Sequence, residues 1–142
     1  MRYLAILISF LIISAFGVYL LPPYAVQSVV FFTINKSELD EMDMAFAASD
    51  ERKWRSSVSG LKSIFKTKRD SRLYSIGMET RFERTYEIAF IKSSIDYQYC
   101  SPSLLYSDEV FIKCSISLQD GWILSYEGLI HSRIDELLEK KT

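Results

Sequence analysis

This sequence of 142 residues offers few combinations of side chains with the spacing that acid–base or metal chemistry needs. His131 is its one histidine, which excludes zinc sites and catalytic groups that need several histidines. The adjacent carboxylates Asp108 and Glu109 lie in a serine-rich loop, and neighbouring side chains of an extended segment point to opposite sides. The sequence contains neither a phosphate-binding glycine loop nor a nucleophile-elbow motif. We therefore predict a protein without enzymatic activity, cofactor or metal site.

Two interpretations of His131 stay open. It precedes Asp135 by four residues on a predicted helix, which is typical of a weak surface pair. The alternative is a pH-sensing imidazole, because histidine changes its charge within the physiological pH range.

The two cysteines, Cys100 and Cys114, are too far apart for a C-x-x-C redox or zinc motif. In an oxidising compartment they predict one disulfide. It would close a loop of about 15 residues and stabilise the fold by about 3 kcal/mol in the chain-entropy model. Two buried free thiols are the alternative.

The strongest local charge bias is a basic cluster between positions 52 and 72. A solvated face is one interpretation of it, and docking to an acidic partner surface is the other. The formal net charge of the chain is -1, so direct binding of nucleic acid is not predicted. The cluster consists of Arg52, Lys53, Arg55, Lys62, Lys66, Lys68, Arg69 and Arg72.

An apolar run precedes these residues and ends at Pro22-Pro23. Its length predicts a transmembrane helix, with Arg2 before it and an acidic flank after it. These flanks predict a signal anchor in a bacterial inner membrane, with a cytoplasmic N-terminus and a periplasmic C-terminus. A cleaved signal peptide with Ala15-Phe16-Gly17 as its site is the alternative. The predicted division is a cytoplasmic start at 1–3, an anchor at 4–21, a periplasmic connector at 22–36 and a periplasmic domain at 37–142.

The connector and the helix expected after it link the apolar run to the rest of the domain. Residues 24–35 are rich in β-branched and aromatic types and predict an extended segment. A capping-box pattern beginning at Ser37 predicts a short helix whose buried stripe is Leu39, Met42 and Phe46. Residues 50–68 fit either a helix or a strand bulged at Gly60.

From position 72 onward, apolar residues alternate with polar ones, which predicts four or five antiparallel strands with one apolar face. Asp120-Gly121 is a hairpin-turn signal within this region. Residues 129–141 predict a closing helix with Ile130, Ile134 and Leu137 on one side. The predicted fold class is therefore α+β.

The tryptophan-containing segment of the basic cluster shows a resemblance to a known family. The segment resembles part of the ToxS-like accessory proteins of membrane-tethered transcription regulators, a group that includes TcpH and the PsaF/MyfF proteins. The resemblance implies an incomplete lipocalin-like sheet and favours a strand over residues 53–66. The matching residues are Arg52-Lys53-Trp54-Arg55-Ser56 and Phe65-Lys66-Thr67-Lys68.

By this resemblance, the protein is expected to be a chaperone-like partner that binds and stabilises a membrane-tethered winged-helix regulator. The alternatives are a structural subunit of a secretion or pilus assembly platform, and an immunity protein. A small apolar ligand is a further hypothesis that no residue specifies. The aromatic side chains expected to face the partner are Trp54, Tyr97, Tyr99 and Trp122.

Overall fold

The computed structural model of the chain describes residues 2–67, 71–81, 83–92, 98–133 and 138–139. Two helices, α1 (Arg2–Leu20) and α2 (Ala25–Ala48), come first along the chain. A short helix, α3 (Pro102–Leu105), lies between two strands, and a 3-10 turn (His131–Arg133) follows the last one. The strands are β1 (Lys53–Trp54), β2 (Ser63–Lys66), β3 (Arg72–Arg81), β4 (Arg84–Lys92), β5 (Phe111–Ser117) and β6 (Trp122–Ile130).

Helix α1 forms over the apolar run, and the proline pair separates it from α2. Many of its large side chains, Phe10 and Ile13 among them, are exposed. Across the described ranges, however, no helix combines the length and the apolar character needed to cross a membrane. This finding contradicts the anchor predicted over residues 4–21, together with the inner-membrane location and the topology that depended on it.

Helix α2 corrects the extended segment predicted over residues 24–35. It runs without interruption for 24 residues, so Ser37 lies in its middle and does not cap a new helix. The expected stripe of Leu39, Met42 and Phe46 is buried, which confirms that part of the prediction. The buried face extends further upstream, through Phe32 and Ser28 to Ala25 at the start of the helix. Packing of one apolar face therefore outweighs the β preference of the individual residues.

The six strands form one antiparallel sheet in the order β1-β2-β3-β4-β6-β5. The last of the described strands, β6, therefore lies inside the sheet between β4 and β5. A bulge between Ser75 and Gly77 shifts the register of β3 against β4. The sheet stays open, with β1 and β5 at its edges.

Helix α2 covers one face of this sheet, and the core lies between them. Phe32 packs against Phe90 and Trp122, with ring centroids 5.6 and 5.8 Å apart. Tyr74 makes an edge contact with Trp122 at 4.9 Å. Because these side chains come from α2, β3, β4 and β6, helix and sheet share one core.

The ambiguous segment 50–68 contains strands β1 and β2, as the strand interpretation required. Gly60 lies in the turn between them with a positive φ of 99°, and is not a bulge.

The predicted helix from residue 129 is wrong at its start. Leu129 and Ile130 belong to β6, where Ile130 pairs with Arg84 and donates its backbone N–H to the Val110 carbonyl. Ile134 and Leu137 lie outside the described residues.

Candidate functional site

A buried carboxylate ties α2 to the sheet. Asp43 accepts hydrogen bonds from Arg72 Nε and, at 3.0 Å, from Arg72 Nη2. It also accepts one from the hydroxyl of Tyr74 at 2.6 Å. Burial, together with the adjacent Asp43, raises the pKa of Tyr74. The arrangement keeps that hydroxyl neutral and donating, which suits an anchor and not a proton-transfer site.

A second polar group lies one turn earlier on α2. Asp40 accepts a hydrogen bond from Trp122 Nε1 at 2.8 Å and pairs with Lys36 at 2.6 Å. The hydrogen bond from Lys36 holds the pKa of Asp40 below its usual value. Lys92 lies 3.7 Å from Asp40 and stacks over the Trp122 ring. All these charges have partners, so this group also serves to hold α2 on the sheet.

The four aromatic residues expected to face a partner have different surroundings. Trp122 has no exposed surface, because its indole is enclosed by α2 and the sheet, so the prediction is wrong for this residue. Trp54 is half-buried against Phe46, with ring centroids 5.2 Å apart. Tyr97 lies outside the described residues. Tyr99 is 68% exposed and remains available for contact.

The cysteines meet at the β5 edge of the sheet. The sulfur atoms of Cys100 and Cys114 are 2.13 Å apart, at disulfide distance. Cys100 directly follows the isolated β-bridge between Tyr99 and Ser115, and its backbone N–H donates to the Ser115 carbonyl on β5. The bond thus fastens the segment before α3 to the outer strand.

His131 lies on the 3-10 turn and is exposed. A ring nitrogen forms a hydrogen bond with the Thr85 hydroxyl, and its backbone N–H donates to the Glu83 carbonyl. Asp135, its expected partner, lies outside the described residues, so neither interpretation of this histidine is tested.

The basic cluster divides into two parts. Arg72 and Lys66 face inward, where Arg72 pairs with Asp43 and Lys66 donates to the Ser49 carbonyl at the end of α2. The remaining described members lie along the β1–β2 edge of the sheet. They are exposed and form no ion pair with a carboxylate of the described residues. These residues, which we call the basic edge, are Arg52, Lys53, Arg55 and Lys62.

Sequence reasoning did not single out Arg84, although it is the most deeply buried of the described arginines. Only 2% of its surface is exposed. Its Nη2 donates to the carbonyls of Ser107 and Glu109 at 2.9 and 2.7 Å. It forms no ion pair with a carboxylate in the part of the chain that the structure describes. Its Nη1 and the Ser107 hydroxyl are buried there without a hydrogen-bond partner. A buried charge in this state is unfavourable by several kcal/mol.

Arg84 forms part of the wall of a cavity of about 350 Å³ between the start of β4 and the loop after α3. The floor contains buried Tyr86 and Leu105, and the rim contains exposed Tyr106 and Asp108. We call this space the Arg84 cavity; Arg81, Glu83, Ser107, Ile130, Ser132 and Arg133 also line it.

Gly128 makes room for this arrangement. A Cβ added there would lie 2.8 Å from Arg84 Cδ and 2.9 Å from Tyr86 Cδ1. One signal in the sequence could have revealed the arginine, because Arg84 occupies the same parity as Tyr86, Ile88 and Phe90 on β4. A charge on the apolar face of a strand requires a partner or a function.

Among the described residues, no group of three or more potential ligand side chains could hold a metal ion. Comparison of the chain with protein families, curated proteins and solved structures finds no match. The resemblance to the ToxS-like accessory proteins therefore stays a prediction.

Proposed function

We propose that this protein is a non-enzymatic accessory protein that binds and stabilises a transcription regulator, with the basic edge as its docking surface. The observation that carries the proposal is the separation of the described members of the basic cluster into inward ones with polar partners and outward ones that form no ion pair with a described carboxylate. The family of regulators is the membrane-tethered winged-helix class that the sequence resemblance indicates.

The geometry of the basic edge favours an acidic protein surface as the partner. Lys53 lies over the Phe65 ring, with its Nζ 5.3 Å from the centroid. The ammonium group of Lys62 lies beside Gly77, where an added Cβ would be 2.8 Å from its Nζ. Both long side chains are thus supported by the sheet while Arg52 and Arg55 extend from its margin. Several like charges held on one edge accelerate association with a complementary surface.

A simpler role of the same charges is protection of the sheet. Lysine on an edge strand discourages unwanted pairing with other chains. The two roles predict different results when the charge is reversed. The protective role survives the reversal, because glutamate also puts a charge on the edge, whereas the docking role is lost and binding to one partner weakens.

The decisive experiment compares two double variants of the full chain. Arg52→Glu with Arg55→Glu reverses the charge, and Arg52→Lys with Arg55→Lys preserves it as a matched control. Each variant replaces the natural protein in the cells that produce it and is purified together with its bound proteins. Binding of the variant to the recovered regulator is then measured at two salt concentrations. We expect the reversed variant to bind at least about tenfold more weakly, and the control to bind normally with affinity that falls as salt rises.

Recovery of a secretion or pilus platform, or of a toxin, without a regulator would contradict the proposal. Unchanged binding by the charge-reversed variant would show that docking occurs elsewhere. The stabilising role has its own measurement: removing this protein from the cells should shorten the lifetime of the regulator, because binding to the folded state opposes unfolding.

A further inference from the structure

The Arg84 cavity combines a buried cation, which forms no ion pair with the described carboxylates, with an apolar floor, and it is separate from the basic edge. Arg84 already donates through Nη2 to two backbone carbonyls, which fix the orientation of the guanidinium. Its Nη1 and the nearby Ser107 hydroxyl retain unused hydrogen-bond donors within the described structure. A guanidinium N–H and a hydroxyl in the lining of one cavity are donors suited to the oxygens of a carboxylate or another oxyanion.

The charges around the cavity decide which anion fits. Arg81, Arg84 and Arg133 contribute three positive charges to its lining, whereas Glu83 and Asp108 contribute two negative ones. Arg84 is the lining cation that is both buried and without an ion pair to a described carboxylate, and a single buried charge favours a monoanion over a phosphate dianion. The acidic residues at the rim also repel a multiply charged ligand.

The remaining walls define the body of the ligand. Tyr86, Leu105 and Ile130 present rings and aliphatic groups to the same cavity. Its volume of about 350 Å³ lies at the small end of the range for ligand pockets. It therefore suits a compact apolar group.

We infer that the Arg84 cavity binds a small organic monocarboxylate, with the carboxylate at Arg84 and Ser107 and an apolar body against Tyr86 and Leu105. Arg84 Nη1 and the Ser107 hydroxyl have almost no accessible surface, so binding needs a small outward movement of residues 106–109. The guanidinium must follow this segment, because the two carbonyls that accept from Nη2 belong to it. This segment lies between α3 and β5, and the exposed side chain of Tyr106 marks its outer side. The carboxylate neutralises a buried charge that no described side chain compensates.

The test uses the purified full chain with benzoate, and with benzamide as an uncharged ligand of the same shape. Binding is followed by NMR titration, with inorganic phosphate as a third probe. We expect saturable shifts of the Arg84 and Ser107 resonances with benzoate, and affinity at least about tenfold lower for benzamide, because it lacks the charge that pairs with the guanidinium. Equal binding of benzamide, stronger binding of phosphate or no benzoate binding would overturn the inference.

Two variants locate the site. Arg84→Met removes the cation and should abolish benzoate binding. Ser107→Ala removes only a hydroxyl that lacks a partner, so it should leave the fold intact and weaken binding several-fold. Arg55→Met, on the basic edge, is the control and should bind benzoate normally. Should Arg84→Met fail to fold, Ser107→Ala decides, and normal benzoate binding by this variant would contradict the assignment.

Discussion

Replacing Asp43 by alanine tests whether the buried carboxylate holds α2 on the sheet. The substitution removes the acceptor of three hydrogen bonds, two from Arg72 and one from Tyr74. Tyr74 has no exposed surface, so its hydroxyl would be left buried without an acceptor, which costs about 1–3 kcal/mol of stability. The side chain of Arg72 is 22% exposed, and it would lose its ion-pair partner while keeping partial access to water.

Breaking a fully buried ion pair costs about 3–5 kcal/mol, and the partial exposure of Arg72 reduces that penalty. We therefore expect Asp43→Ala to lower the free energy of unfolding by about 3 kcal/mol in total. The corresponding fall in Tm is roughly 10 °C for a domain of this size. Urea denaturation followed by circular dichroism measures the first quantity, and a thermal scan measures the second. Asp50→Ala, which removes an exposed carboxylate, is the matched control and should have little effect.

A double-mutant cycle measures the coupling between Asp43 and Tyr74. Tyr74→Phe should cost about 1 kcal/mol by itself, since it removes one hydrogen bond and leaves Asp43 paired with Arg72. Combined with Asp43→Ala, it should cost less than the sum, because phenylalanine has no hydroxyl to leave unsatisfied. Strict additivity, or a loss below about 1 kcal/mol for Asp43→Ala, would refute this account of the anchor.

Three further predictions concern the edges and interior of the sheet. Lys36 holds the pKa of Asp40 below 3.8, so the stability from this pair is present above pH 3.8 and is lost as pH falls through the lowered pKa. Asp40→Asn should therefore be destabilising in urea at pH 7, with a difference that shrinks in acid; a constant difference would contradict it. Cys114→Ser should lower stability by about 3 kcal/mol in the chain-entropy model, and wild-type protein treated with a reductant should show a similar loss in urea. Gly128→Ala should cost about 1–3 kcal/mol because the new methyl group would meet the side chains of Arg84 and Tyr86; a neutral result in thermal denaturation would show that both side chains can shift at little cost.

The sheet could be predicted from the sequence because apolar residues recur at every second position, which is also the spacing of the buried positions of a strand. Tyr86, Ile88 and Phe90 alternate with polar or small residues, and all three are buried on the face that α2 covers. The same reasoning failed for residues 24–35, where aromatic and β-branched residues suggested an extended chain. Local preference is worth less there than burial of one helical face against the sheet.

The polar interactions could not be predicted, because they join residues that are distant in the sequence. Asp40 and Trp122 are 82 positions apart, and Asp43 and Arg72 are 29 apart. Periodicity assigns a residue to a face but does not identify its partner across that face. The burial of Arg84, in contrast, could be inferred from the sequence, because Arg84 occupies the same side of β4 as the apolar residues Tyr86, Ile88 and Phe90.

The position of β6 inside the sheet has a consequence for synthesis of the protein. β4 is complete at Lys92, but the strand that pairs with its free edge ends only at Ile130. At about 5–20 residues per second, the roughly 40 residues between these points take about 2–8 s to synthesise. During that interval the nascent chain presents the open, apolar margin of β4, which is a template for pairing with other chains. Ribosome stalling in this stretch should therefore lower the yield of folded protein, and a delay placed before β3 should have less effect.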